Sequence, residues 1–188
     1  QSEYRWIIDP LDGTTNFTHG LPIYCVSIGL ERKGEVIAGV IYDPNLDEMF
    51  SAEKGRGAFL NGRRLRVSQT PSLNQSLLVS GFPYNVSENP DNCLEHFVNF
   101  VIECQGVRRM GSAAIDLAYV AAGRYDGFWE VHLNAWDMAA GVILIREAGG
   151  KITGFDGDEI NICGKKVVAS NGIIHDDMIG LLKKGNKI

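Results

Sequence analysis

The sequence predicts a layered α/β fold, with a largely antiparallel sheet in the first half and alternating helices and strands in the second. Three observations predict it. The first half holds β-rich runs separated by tight-turn signals, the second holds apolar residues at helical spacing, and 188 residues are enough to bury one core. Arg5 to Asp9 is a short apolar run that Pro10 brings to an end. Tyr24 to Glu31 and Glu35 to Asp43 read as strands joined across Arg32-Lys33-Gly34, where glycine adopts a positive φ without steric cost. Glu48 to Glu53 follows the turn signal Asp43-Pro44-Asn45, and Asn61-Gly62 between Gly57–Leu60 and Arg63–Val67 is a two-residue hairpin signature.

In the second half, Ser76 to Ser80 reads as a strand and Phe82 to Pro90 as a polar loop. Asp91 to Gln105 carries Leu94, Phe97, Val98, Val101 and Ile102 on a helical stripe. Ser112 to Ala122 is a helix with Ala114, Leu117, Ala118 and Ala121 on one face and Gly123 as its stop. Tyr125 to Val131 and Lys166 to Ser170 are strands, Asp137 to Ala148 is a helix closed by Gly149-Gly150, and Asp176 to Lys184 is a terminal helix. No repeat or linker divides the chain. It reads as one domain over 1–188, its sheet part in 1–80 and its α/β part in 81–188. The chain opens at Gln1 and enters a strand within a few residues, so an amino-terminal part is expected to be missing.

Composition narrows the function. Eighteen basic against twenty-three acidic side chains give a net charge of −5, the wrong sign for a nucleic-acid binder. An apolar share of 45% with 22% charged residues excludes a disordered chain. The longest apolar run, Met138 to Ile145, is far short of a membrane span, and the first residues lack the pattern of a secretion signal. Cys25, Cys93, Cys104 and Cys163 have no metal-binding or redox spacing, so a reduced, cytoplasmic chain with buried thiols is expected.

The chemistry concentrates in Asp9-Pro10-Leu11-Asp12-Gly13-Thr14-Thr15-Asn16-Phe17. A strand running into a turn lets both aspartates face one point, where a hard cation binds through oxygens and the Leu11 carbonyl can add a third ligand. A tight turn or helix starting at Gly13 presents free N–H groups to an anion. The second segment, Trp136-Asp137-Met138-Ala139-Ala140-Gly141, places a carboxylate at a helix start, where it can act as a simple cap. The small residues behind it point to a close backbone approach that a cap does not require.

These two segments resemble the paired signatures of the inositol monophosphatase family of magnesium-dependent, lithium-sensitive phosphatases. The likeness extends through Phe59-Leu60-Asn61-Gly62, Gly81-Phe82-Pro83, Gly111-Ser112-Ala113-Ala114 and Arg146-Glu147-Ala148-Gly149-Gly150. The resemblance implies metal ligation by Asp9, the Leu11 carbonyl, Asp12 and Asp137, for two or three Mg2+ ions with Mn2+ as a substitute. It implies phosphate reception at Gly13, Thr14 and Thr15, with Thr14 and Asp12 catalytic and water as the metal-activated nucleophile. Substrate contacts would come from Leu11, Gly111, Ser112, Ala113, Glu130 and Asp137. The implied protein is a cytoplasmic homodimer acting on inositol 1-phosphate or a related polyol or sugar phosphate, with no membrane or nucleic-acid partner. The family pattern also includes an upstream metal-ligating glutamate and an acidic partner for the threonine, neither of which lies in this sequence; Glu3 is too close to the motif to be that glutamate.

Independent physics agrees with a metal site, since three aspartates brought together repel unless a cation sits among them. Alternatives stay open: a fructose-1,6-bisphosphatase using Arg108, Arg109 or Arg124 for its second phosphate, or a binding subunit that keeps the fold without turnover. An aspartyl-phosphate enzyme fits poorly, because Asp9 and Asp12 are three apart whereas that chemistry uses D-x-D spacing. His19, His96, His132 and His175 lack metal-ligand spacing and read as surface or core residues, and Trp129 and Trp136 as core and site walls.

Overall fold

Strand runs with apolar residues on alternate positions bury one face only, and the first 64 residues do this repeatedly. The computed structural model describes residues 2–184; Gln1 lies outside the described residues. Strands β1 (Tyr4–Asp12), β2 (Cys25–Arg32), β3 (Glu35–Asp43), β4 (Glu48–Glu53), β5 (Gly57–Leu60) and β6 (Arg63–Arg64) pair in chain order as a six-stranded antiparallel meander. Strand β1 does not stop at Pro10. It continues to Asp12 through an irregularity, with Asp9 opposite Ser27 but Asp12 opposite Cys25. Pro10, which has no N–H to give a ladder, sits inside that bulge. Strand β6 is shorter than the sequence suggests. After it, the Leu65 N–H bonds the Ala58 carbonyl at 2.8 Å and the Val67 N–H bonds the Ala148 carbonyl at 3.2 Å, which draws the chain off the sheet edge.

The second sheet is mixed. Strands β7 (Leu77–Ser80), β8 (Gly106–Arg108), β9 (Gly127–Val131), β10 (Lys151–Thr153) and β11 (Lys166–Ser170) lie in the order β10-β11-β9-β7-β8, with β7 parallel to both β8 and β9. Two of these, β8 and β10, are three residues long and too short to show a period in sequence. The α-helices are α1 (Thr14–Thr18), α2 (Cys93–Glu103), α3 (Ala113–Ala121), α4 (Ala135–Glu147) and α5 (His175–Leu182), and short 3-10 turns lie at Leu73–Gln75, Val86–Glu88 and Pro90–Asn92. Helix α2 starts later than Asp91 because Asp91 and Asn92 hold left-handed backbone, with φ of 53° and 57°.

Helices α3 and α4 lie between the two sheets, while α2 and α5 cover the far side of the second. The main core fills the space between the sheets, from Ile7, Ile41 and Phe50 to Leu117, Ile143 and Val167. A second cluster, including Phe100, Trp129, Ile174 and Met178, seals α2 and α5 to the mixed sheet. The small residues behind Asp137 explain themselves here. A Cβ on Gly29 would lie 2.7 Å from the Ala139 Cβ, and one on Gly39 would lie 2.8 Å from the Ala140 Cα. Gly141 leaves room for Leu117 of α3. Helix α4 therefore packs against sheet and helix at backbone distance, which fixes where its first turn sits. The outward face of β1 leaves Tyr4, Trp6 and Ile8 exposed.

The four cysteines are free. Cys25 and Cys93 are buried as expected, but Cys163 is exposed and Cys104 half-buried.

Candidate active site

Residues three apart on a regular strand point to opposite faces. The extra residue at the Pro10–Leu11 bulge cancels that alternation, so Asp9 and Asp12 turn toward one point. Asp137, from the first turn of α4, meets them there: one carboxylate oxygen from each of the three lies within 4.8 Å of the others. Helix α4 begins at Ala135, two residues before the expected start, because Asn134 takes the capping position. Asp137 is the third helical residue, and its Oδ2 accepts the Asn134 N–H at 2.7 Å.

Each carboxylate is held through one named oxygen. Asp9 Oδ1 accepts the Leu11 N–H at 3.0 Å. Asp12 Oδ2 accepts the Ser112 hydroxyl at 2.5 Å and the Ala114 N–H at 2.9 Å. Asp137 Oδ2 accepts the Asn134 backbone and, at 3.3 Å, its side-chain amide. Three oxygens, one per aspartate, remain without a hydrogen-bond donor among the described residues. An all-oxygen donor set at this spacing suits a hard divalent cation, and the residues fit a magnesium-type site.

Beyond Asp12 the chain turns at Gly13, whose φ of 87° lies in the left-handed region. A Cβ there would stand 2.7 Å from the Ile23 carbonyl oxygen, so no side chain fits. Helix α1 follows at once and carries Thr14 and Thr15. The Asn16 amide donates to the carbonyls of Ile23 and Met110, each at 2.8 Å, and so clips the first motif to the residue before Gly111. Gly111 has a φ of 83°, and Ser112 then caps α3. Asp9, Leu11, Asp12, Gly13, Thr14, Thr15, Gly111, Ser112, Ala113, Glu130 and Asp137 all line one cleft of about 780 Å³. The structure thus gathers every metal, phosphate and substrate residue that the resemblance implies, although the Ser112 hydroxyl is engaged with Asp12 and is buried.

The inositol monophosphatase family model matches residues 1–186. The chain belongs to the inositol monophosphatase family. It is 51% identical over 183 residues to an inositol-1-monophosphatase of Mesorhizobium japonicum, covering 97% of this chain and 69% of that protein. It is 52% identical over 172 residues to the Nus factor SuhB of Pseudomonas aeruginosa, covering 90% of this chain and 64% of that one. The solved inositol monophosphatase of Anabaena superposes with a TM-score of 0.94 at 51% identity, over 96% of this chain and 72% of that chain. The chain therefore spans about two thirds of the length of these relatives.

In this family member the cleft concentrates negative charge. Burial, then repulsion from Asp137 and Asp9, pushes the Asp12 carboxyl up to about 6 against the pull of its Ser112 and Ala114 donors. Burial, then Asp12 and Asp137, pushes Glu130 up to about 8, with Arg109 opposing. Asp137 is raised by burial and by Asp9. An added Cβ on Gly81 would overlap the Glu130 carboxylate, so glycine makes space for that side chain.

Several residues of the cleft escaped sequence reading. Asn16 belongs to the first motif, but its clip to Met110 joins positions 94 apart and no local pattern reveals it. Asp116 lines the cleft from α3, where it reads as an ordinary helix carboxylate. Tyr84, from the polar loop, brings its hydroxyl to 3.5 Å from Thr14 Oγ1. His132 is neither core nor simple surface: it lines the cleft with a φ of 63° and its Nε2 lies 3.0 Å from Asp91 Oδ2. Among the three arginines considered for a second phosphate, only Arg109 lines the cleft; Arg124 is bound to Glu48 at 2.5 and 2.6 Å. Trp129 is core, stacked on Phe100, and Trp136 is a half-exposed site wall.

Proposed function

We propose that the protein is a magnesium-dependent phosphomonoesterase that hydrolyses inositol 1-phosphate or a related polyol or sugar phosphate, working as a cytoplasmic homodimer with 1–188 as its catalytic domain. The observation that carries this reading is the meeting of Asp9, Asp12 and Asp137 within 4.8 Å, each held through one oxygen and offering another. Divalent cations bound there, Mg2+ or Mn2+, would reverse the sign of an acidic cleft for a phosphate and make water a better nucleophile near neutral pH.

The chain's own residues do the rest. The N–H groups that follow Gly13 receive phosphate oxygens, with the left-handed Gly13 setting their direction. Thr14 accepts a hydrogen bond from the attacking water and holds it in line with the ester bond. Ser112 and the Ala114 N–H hold Asp12 rigid, so its second oxygen does not reorganise during turnover. Glu130 takes hydroxyls of the alcohol part. Water adds to phosphorus and gives up a proton, the ester P–O bond breaks, and the departing alkoxide takes up a proton in turn.

Phosphate release from inositol 1-phosphate by the full-length protein tests this, with and without Mg2+ and then with millimolar Li+. Magnesium-dependent release suppressed by lithium is expected. No release at any magnesium concentration would overturn the reading. It would favour the second one, a binding or assembly subunit that keeps the fold, which the 52% identity to a protein named as a Nus factor supports.

A further inference from the structure

We infer that Asp116 is a specificity-determining residue: with Glu130 it forms an acidic floor to the cleft that takes hydroxyls from the alcohol part of a phosphate monoester and turns away a second phosphate. This rests on the phosphatase reading of the same cleft. Asp116 lies on α3 one turn beyond Ser112 and is 1% exposed, yet it lines the cleft. Its Oδ1 has no hydrogen-bond partner among the described residues. A buried carboxyl oxygen without a donor is uncommon, because nothing offsets the loss of water.

Three other buried aspartates are held by donors within the fold. Asp12 takes Ser112 and the Ala114 N–H, Asp43 takes the N–H groups of Asn45 and Leu46, and Asp126 takes Ser68 and the Leu77 N–H. Asp116 alone of these four has a buried side-chain oxygen with no partner among the described residues, and the residue lines the cleft, so a donor from outside the chain can complete it. A substrate hydroxyl supplies one.

Charge at this end sets the rejected class. Arg109 is the single lysine or arginine on the cleft wall among the described residues, and its charge acts on both Asp116 and Glu130. That one cation sits beside two carboxyl groups suited to hydroxyl partners, so a second phosphate finds a single charge partner at most. Burial first, then Glu130 and Asp12, holds the Asp116 carboxyl well above the usual carboxylate range. A neutral carboxylic acid both gives and takes hydrogen bonds, which suits a hydroxyl better than a phosphate dianion.

The test compares wild type with Asp116→Leu and Asp116→Asn in the full-length protein with Mg2+. Three substrates serve: inositol 1-phosphate, p-nitrophenyl phosphate, which has no hydroxyls, and fructose 1,6-bisphosphate. In Asp116→Leu, kcat/KM for inositol 1-phosphate should fall ~10-fold or more, mostly through KM, with p-nitrophenyl phosphate changed less than ~2-fold. Asp116→Asn should recover part of that loss, and the preference for the monophosphate over the bisphosphate should narrow in both. Equal losses on all substrates, or an unchanged KM for inositol 1-phosphate, would overturn the inference. If wild type turns over none of the three, the phosphatase reading fails by itself. Calorimetric binding then decides on Asp116: a selective loss of inositol 1-phosphate affinity over inorganic phosphate supports it, and no selective loss refutes it.

Discussion

The Ser112 hydroxyl donates to Asp12 Oδ2 at 2.5 Å, joining positions 100 apart in the chain. Ser112 also caps α3 by accepting the Ile115 N–H at 3.4 Å. One side chain therefore fixes a helix start and the orientation of a carboxylate in the acidic cluster. Asn134 plays the matching part at α4, where its capping position also holds Asp137.

Ser112→Ala should cost about 2 kcal/mol of stability, combining a lost cap with a buried carboxylate short of one donor. The magnesium concentration for half-maximal rate should rise as Asp12 becomes free to reorient. Urea unfolding and magnesium titration check the two effects. A variant with wild-type stability and an unchanged magnesium requirement would show that the hydroxyl does not organise Asp12.

Asp137→Asn should abolish turnover and leave the fold nearly intact. Asparagine keeps an oxygen for the Asn134 N–H, so the capping interaction survives and the melting temperature should move little. Loss of the charge leaves two carboxylates where three met. Retention of even a tenth of the wild-type kcat at saturating magnesium would remove Asp137 from the ligand set.

Metal-free protein should lose stability as pH rises from about 4 to 8. The folded-state pKa of Asp12, about 6, and of Glu130, about 8, both lie above the ordinary values of 3.8 and 4.5. The folded chain thus binds more protons than the unfolded chain between those limits. Their contribution is intact below the unfolded pKa values and is lost as pH passes through 6 and then 8, on the order of a few kcal/mol in all. Magnesium replaces the protons, so it should raise the melting temperature more at pH 8 than at pH 5.5. Equal magnesium shifts at the two pH values would contradict the charge account.

Gly39→Ala should destabilise the fold by about 1–3 kcal/mol and lower kcat as well. Its Cβ would press on Ala140 and Ile143 of α4 and displace the helix that carries Asp137. Denaturant midpoint and kcat, measured together, should fall together. A stable variant with full activity would mean that α4 can shift without disturbing the site.

Much of the fold was legible because its rules are local. The turn pairs Lys33-Gly34 and Asn61-Gly62 fixed the hairpins, and alternation along β2 and β3 fixed which face is buried. The short strands β8 and β10 were not legible, since three residues carry no period and their pairing depends on partners far along the chain. The strand end at Pro10 was misjudged for a related reason: proline breaks a regular ladder, but β1 passes it through a bulge.

By itself the sequence determined the meander, the helical stripes and the two aspartate motifs, because each depends on residues close together in the chain. The small residues Ala139, Ala140 and Gly141 even announced a close approach, though not what approached. Only the tertiary structure decided that Gly29 and Gly39 make that approach, that Ser112 holds Asp12, and that Asn16 reaches Met110. It alone left Asp116 buried on the cleft wall with an unpartnered oxygen. These are contacts between distant segments, set by how layers pack and by which polar groups then find a partner, and no local period or spacing encodes them.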